Sequence, residues 1–295
     1  MGSTKFGNFN DFCHDTTLPV CNAFSPFRNQ TGPWGGCELK GISLSGGRHL
    51  GNLGSIILAA VGILASIYLI LRSERKRAAV GRREMQAFLL GYMVISICEI
   101  FSIGEFPLNS TVRLAFSAVH IGAIAATTWV LLLNGIVGYQ LMDDGTILSL
   151  GLTIGSALLW LIGVGYVVLD TGFDYTSYWA SSYNLPNRHI FLYVTYLLLP
   201  LVWIVLFLVL ELILVIKVLG ETRPLLFLGS AAVAFAAGQV FNFVVSPHIC
   251  NGTSGAIDGS LFQTLFTLMA VVLIWFFWSS ITEDDWPMPV QNPYP

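Results

Sequence analysis

The chain has 295 residues, is 55% hydrophobic and only 11% charged, and has a mean hydropathy of +0.71. A soluble globular domain carries about 25% charged residues, so the composition excludes an ordinary soluble fold and points to lipid as the solvent. The formal net charge is −3 and no basic stripe is interleaved with aromatics, which excludes a nucleic-acid partner.

Residues 1–49 form an N-terminal tail with neither an apolar core nor a basic start of the signal-peptide kind. It carries Cys13, Cys21 and Cys37 and the glycosylation sequon at Asn29. Seven apolar runs follow, each near the ~20 residues that a bilayer requires. They are Leu50–Leu71, Met85–Ile103, Arg113–Asn134, Ile147–Leu169, Ile190–Ile216, Leu225–Val245 and Leu261–Ser280. Backbone groups in hydrocarbon must pair within their own segment, so each run is expected to be a helix. The predicted fold is all-α, a polytopic bundle of seven transmembrane helices over residues 50–280. A tail of 15 residues, 281–295, closes the chain and contains the acidic run Glu283–Asp285. Pro200 predicts a kink in the fifth span. Glu211, near the end of the same span, is expected to snorkel or to find a partner.

The charges orient the bundle. Arg72, Arg75, Lys76, Arg77, Arg82, Arg83, Lys217 and Arg223 fall in the loops after spans one and five, against only Arg113 and Arg188 in the opposite short loops. By the positive-inside rule the N-terminus is expected to be lumenal and the C-terminus cytosolic. The sequons at Asn29, Asn109 and Asn251 all fall on the expected lumenal side. So do Cys13, Cys21, Cys37 and Cys250, the candidates for disulfides in an oxidising compartment. Four cysteines allow three pairings and sequence does not rank them. Cys98 lies within span two and reads as a packing residue. The basic stretch Arg72–Arg83 reads as a topology determinant; anionic lipid binding is the alternative, weakened by Glu74 and Glu84.

Polar side chains within lipid are costly and become candidates for function. Glu99, His120, Gln239, Asn242 and Gln263 all fall in one expected lumenal layer roughly 10 Å deep, counted at ~1.5 Å per residue. They are expected to be hydrogen-bonding contacts between helices. The alternative is a polar pocket with Glu99 and His120 as an acid/base pair. The chain has no H-E-x-x-H, no G-x-S-x-G and only one histidine within a span, so no catalytic residue, metal or cofactor is expected. Gly151-Leu-Thr-Ile-Gly155 permits close helix approach within the bundle or with a partner.

Several segments in order resemble the fungal chitin synthase export chaperones. These are Phe6-Gly-Asn-Phe with Cys13 and Leu18-Pro-Val-Cys21, the loop Val80-Gly-Arg-Arg-Glu84, and Leu131-Leu-Leu-Asn-Gly-Ile-Val-Gly-Tyr-Gln-Leu-Met-Asp-Asp-Gly-Thr146. Further on come Gly238-Gln-Val, His248-Ile-Cys250, Asp258-Gly259 and Ser280-Ile-Thr-Glu-Asp284. The similarity runs from residue 6 to about 285. It implies a non-enzymatic chaperone of the endoplasmic reticulum membrane that helps chitin synthase fold, assemble and leave for the cell surface, and so serves cell-wall chitin synthesis. The implied partners are chitin synthase as client, the lipid bilayer, and vesicle coat components; travel with the client to the plasma membrane is a further expectation. The short tail ending in Pro-Met-Pro-Val-Gln-Asn-Pro-Tyr-Pro295 departs from the family and leaves a sorting role for that tail open. Two other readings remain at this stage. One is a seven-span receptor or lipid transporter, against which the short loops Gly135–Thr146 and Lys217–Pro224 argue. The other is an intramembrane hydrolase using Glu99 and His120.

Overall fold

Lipid offers a backbone no hydrogen-bond partner, and seven segments of this chain meet that demand as helices long and apolar enough to cross a membrane. The computed structural model describes residues 6–24, 39–44, 48–104, 109–140, 145–179, 189–220 and 222–282. A short helix α1 (Asn10–Asp15) precedes the bundle. The seven spanning helices are α2 (Leu53–Arg75), α3 (Arg82–Ser102), α4 (Ser110–Val137), α5 (Ile147–Phe173), α6 (Ile190–Leu219), α7 (Arg223–Gly252) and α8 (Gly259–Ile281). Between α1 and α2 an antiparallel ribbon pairs β1 (Ile42–Leu44) with β2 (Arg48–Leu50), with Ile42 opposite Leu50 and Leu44 opposite Arg48.

Capping side chains set where the helices begin. Asn52 accepts from Ser55 N at 3.1 Å, so α2 starts at Leu53 although the apolar run begins at Leu50. Asn109 does the same for Val112 N (2.8 Å), Thr146 for Ser149 N (3.2 Å) and Asp258 for Ser260 N (3.2 Å). The expected distortion at Pro200 is present as a π-helical turn, Tyr193–Leu198, in which Leu199 N–H reaches back five residues to Val194 O. Proline has no N–H and its ring crowds the carbonyl four residues before it, so the ladder widens ahead of Pro200. Pro247 follows a second π turn, Phe241–Val245, in α7. A third, Leu214–Leu219, ends α6 at Gly220, whose φ of +66° suits glycine.

Helix α4 is the axis of the bundle and packs against α3, α5 and α6. In its most apolar stretch 67% is buried, against 17% for α5. Small residues make that possible: Ala118, Gly122, Ala123, Ala125 and Ala126 are all buried on α4. A Cβ added at Gly122 would lie 2.5 Å from Leu161 O, so only glycine allows this approach of α5. Helices α7 and α8 pair with each other, and α8 closes against α2.

The N-terminal segment belongs to this core. Phe9, Cys13, Val20, Cys21 and Phe24 are completely buried, packed with Leu114, Ile121, Val168 and Leu192 from α4, α5 and α6. A 3-10 turn, Pro19–Ala23, lies against α4.

Candidate functional site

Successive spanning helices alternate in direction, giving the bundle two ends. The cysteine end gathers the N-terminal segment and the starts of α2, α4, α6 and α8. The basic end carries the arginine-rich loop between α2 and α3.

At the cysteine end Asp258 is wholly buried and has its needs met from three directions. Its Oδ2 accepts from Thr17 Oγ1 in the N-terminal segment (2.7 Å). Its Oδ1 accepts from Asn52 Nδ2 (3.2 Å) at the start of α2 and from Ser260 Oγ (2.6 Å) at the start of α8. Asn52 Nδ2 also donates to Ser260 Oγ at 2.8 Å. A second chain of bonds runs from Asn22 Nδ2 to Ser117 Oγ (2.8 Å) and Ser102 O (3.2 Å), and Ser102 Oγ meets His120 Nδ1 at 2.8 Å. The four cysteines read as disulfide candidates also lie here where they are described. Cys13 is bonded to Cys21, Cys250 is disulfide-bonded, and Cys37 lies outside the described residues. Cys98 is buried and free, in keeping with a packing role.

The five intramembrane polar residues do not join into one cluster. Thr264 Oγ1 donates to a Glu99 carboxylate oxygen, while His120 bonds Ser102; Glu99 and His120 make no hydrogen bond with each other. Asn242 is completely buried on the π turn of α7, and neither its Oδ1 nor its Nδ2 has a partner among the described residues. Gln239 and Gln263 are half-buried. Among the described residues no group of three or more His, Cys, Asp or Glu could hold a metal ion. Of the sequons, Asn109 caps α4, Asn251 is exposed, and Asn29 lies outside the described residues, as does the Glu283–Asp285 run.

The basic end is built differently. Gly81, with φ +67°, turns the chain into α3, and a Cβ there would sit 3.0 Å from Asn134 Oδ1. Beside it Val80 O accepts from Trp278 Nε1 on α8 (2.9 Å). Glu84 is fully buried and accepts from Ser149 Oγ (3.1 Å) of α5, and its Oε2 has no partner among the described residues. Glu74 is the residue that meets the arginines: its Oε2 lies 3.1 Å from Arg83 Nη1 and 2.7 Å from Gln86 Nε2. Close by, a cavity of about 310 Å³ is lined by Val80, Asn134, Tyr139, Glu211, Trp278 and Ile281, among others. Glu211 and Asn134 are each 5% exposed, and Glu211 Oε2 and Asn134 Nδ2 lack a partner among the described residues. Glycine brings α4 and α6 together here: a Cβ at Gly135 would be 3.1 Å from the Phe207 ring and 3.6 Å from Glu211 Oε1. Three of the segments singled out in the sequence, around Val80, Asn134 and Ile281, thus meet around one cavity. Their order in the chain could suggest no such meeting, because they come from the loop before α3, from α4 and from α8.

Comparison with known proteins bears on these features. The family model for chitin synthase export chaperones matches residues 5–292. A chitin synthase export chaperone of Aspergillus fumigatus is 32% identical over 286 residues, covering 95% of this chain and 84% of the relative. Those of Chaetomium globosum (31%, 95% of this chain and 83% of the relative) and Cryptococcus neoformans (30%, 95% and 76%) are similar at the same level. No solved structure matches. A seven-helix membrane architecture and similarity over nearly the whole chain place this protein in the chitin synthase export chaperone family.

Proposed function

We propose that this protein is a membrane chaperone of the endoplasmic reticulum that assists the folding and assembly of chitin synthase and its export toward the cell surface. The observation that carries this reading is the family match across residues 5–292, which includes all seven spanning helices and the buried N-terminal segment. The role is non-catalytic: the polar residues Glu99 and His120 serve separate helix contacts, with Thr264 and Ser102. The outer surface suits a membrane-embedded client. On α5, Gly151, Gly155 and Gly163 have nothing within 4 Å of where a Cβ would stand, and Leu159 is 75% exposed, so a partner helix can approach the backbone closely. The cysteine end is lumenal and the basic end cytosolic, which puts Asn251 where glycosylation occurs and the Glu283–Asp285 run where a vesicle coat can read it.

Deleting the gene is expected to hold chitin synthase in the reticulum and lower wall chitin while general secretion continues. Arrival of the synthase at the cell surface at the normal rate in the deletion strain overturns the reading. The topology has its own test in sealed microsomes: a tag at residue 1 is protected from protease and a tag at residue 295 is digested.

A further inference from the structure

A carboxyl and a carboxamide inside a membrane protein each need a hydrogen-bond partner. At the cavity of the basic end the described residues leave those needs unmet: Glu211 Oε2 has no donor among them, and Asn134 Nδ2 no acceptor. The two residues come from different helices, α6 and α4, and both are 95% buried. The cavity opens between the ends of α4, α6 and α8, past Val218, which is 65% exposed. At about 310 Å³ it stands at the lower limit of ligand pockets, which run from about 300 to 1,000 Å³, so it admits a side chain and a helix end but no folded domain.

One structure offers a cation and free acceptors together. The last four carbonyls of a helix have no partner within it, and Lys or Arg is favoured beside them by the helix dipole. In membrane proteins Lys and Arg also concentrate at one face of the bilayer, the face at which this chain carries its own arginine-rich loop.

We infer that the cavity is a socket for the C-terminal end of a transmembrane helix of the client. A Lys or Arg there pairs with Glu211, and a terminal carbonyl accepts from Asn134 Nδ2. This rests on the chaperone reading above and supplies its point of contact. It also accounts for a carboxylate and an amide kept side by side at one cavity without a partner among the described residues: the missing partner arrives with the client and leaves with it.

The test uses the full chain in a strain deleted for the native gene, with tagged chitin synthase. A photo-crosslinking amino acid at Val218, on the exposed rim, is expected to capture the synthase at a peptide that ends a spanning helix and contains Lys or Arg. Glu211→Gln, which keeps the shape and removes the charge, is expected to lower that yield roughly tenfold or more, with unchanged abundance and melting temperature. Pairing Glu211→Lys with an acidic replacement of the captured client residue is expected to restore it. Crosslinks only to lipid or to a second copy of this chain overturn the socket, as does full capture and export by Glu211→Gln. In those cases normal export by the unaltered chain leaves the chaperone reading standing. If the deletion strain itself exports the synthase normally, the chaperone reading fails, and the socket with it. Should Glu211→Gln fail to accumulate, the identity of the peptide captured from Val218 decides.

Discussion

The two ends of the bundle hold buried carboxylates in opposite ways. At the cysteine end Asp258 receives four hydrogen bonds, from Thr17, Asn52, the Ser260 hydroxyl and the Ser260 N–H. At the basic end Glu84 and Glu211 each keep one oxygen without a partner among the described residues. A buried polar group contributes to stability only when its partners are in place, and otherwise it costs the fold. The comparison therefore separates a locked end from an end left open, and it assigns stability to the first and binding to the second. The contrast is one of carboxylates and not of every polar group, since Asn242 on the π turn of α7 has no partner for either side-chain polar atom among the described residues.

The largest expected effect tests the lock. Asp258→Ala strands Thr17, Asn52 and Ser260 at once, and is expected to cost about 3 kcal/mol or more, read as a lower melting temperature in detergent. A small change would show that the N-terminal segment is held by its apolar contacts alone. Cys13→Ser comes next. A native disulfide contributes about 2–4 kcal/mol, and the short loop between Cys13 and Cys21 puts the expected loss near the lower limit. Thermal unfolding of protein purified without reductant measures it.

Smaller effects belong to the open end. Gly81→Ala forces a Cβ into a left-handed turn beside Asn134, at an expected cost of about 1–2 kcal/mol; client capture is expected to fall further than the melting temperature alone explains. Smallest is Glu211→Leu in the isolated protein. Replacing an unpaired buried carboxyl by an apolar side chain is expected to leave stability within about 1 kcal/mol or to raise it, measured by the same thermal scan. A loss as large as that from Asp258→Ala would mean Glu211 is part of a lock too, and would erase the difference between the ends.

Hydropathy was sufficient to locate the seven helices, because spanning lipid leaves a helix as the only economical answer. Their starts depended on single side chains, and Asn52, Thr146 and Asp258 act as caps only in company with the turn that follows each. The π turn before Pro200 was legible as a kink but not in kind. The polar residues were legible one by one: Glu99, His120 and Asn242 are buried as their span positions imply. Their grouping was not, since Thr17 and Asp258 stand 241 residues apart and both lie outside the apolar runs. The cavity at the basic end was legible only as separate motifs. Asn134 closes the third apolar run and Glu211 sits near the end of the fifth, and no spacing rule relates positions on helices that meet through Gly135.

The burial of Phe9–Phe24 also has a consequence in time. Ribosomes deliver a chain N-terminus first, and domains generally begin to fold in that order. Here the segment Phe9–Phe24 cannot be fully secured until the start of the seventh helix is made, because Asp258 on its threshold holds Thr17. The small loop closed by Cys13 and Cys21 can form at once, keeping Phe9, Val20 and Phe24 close together while α4, α5 and α6 are still being synthesised. A nascent chain interrupted before Asp258 would carry that apolar knot unsecured. Completion of the seven-helix bundle is thus registered at the N-terminal segment, and the closing of the cysteine end marks the moment at which synthesis has reached the seventh helix.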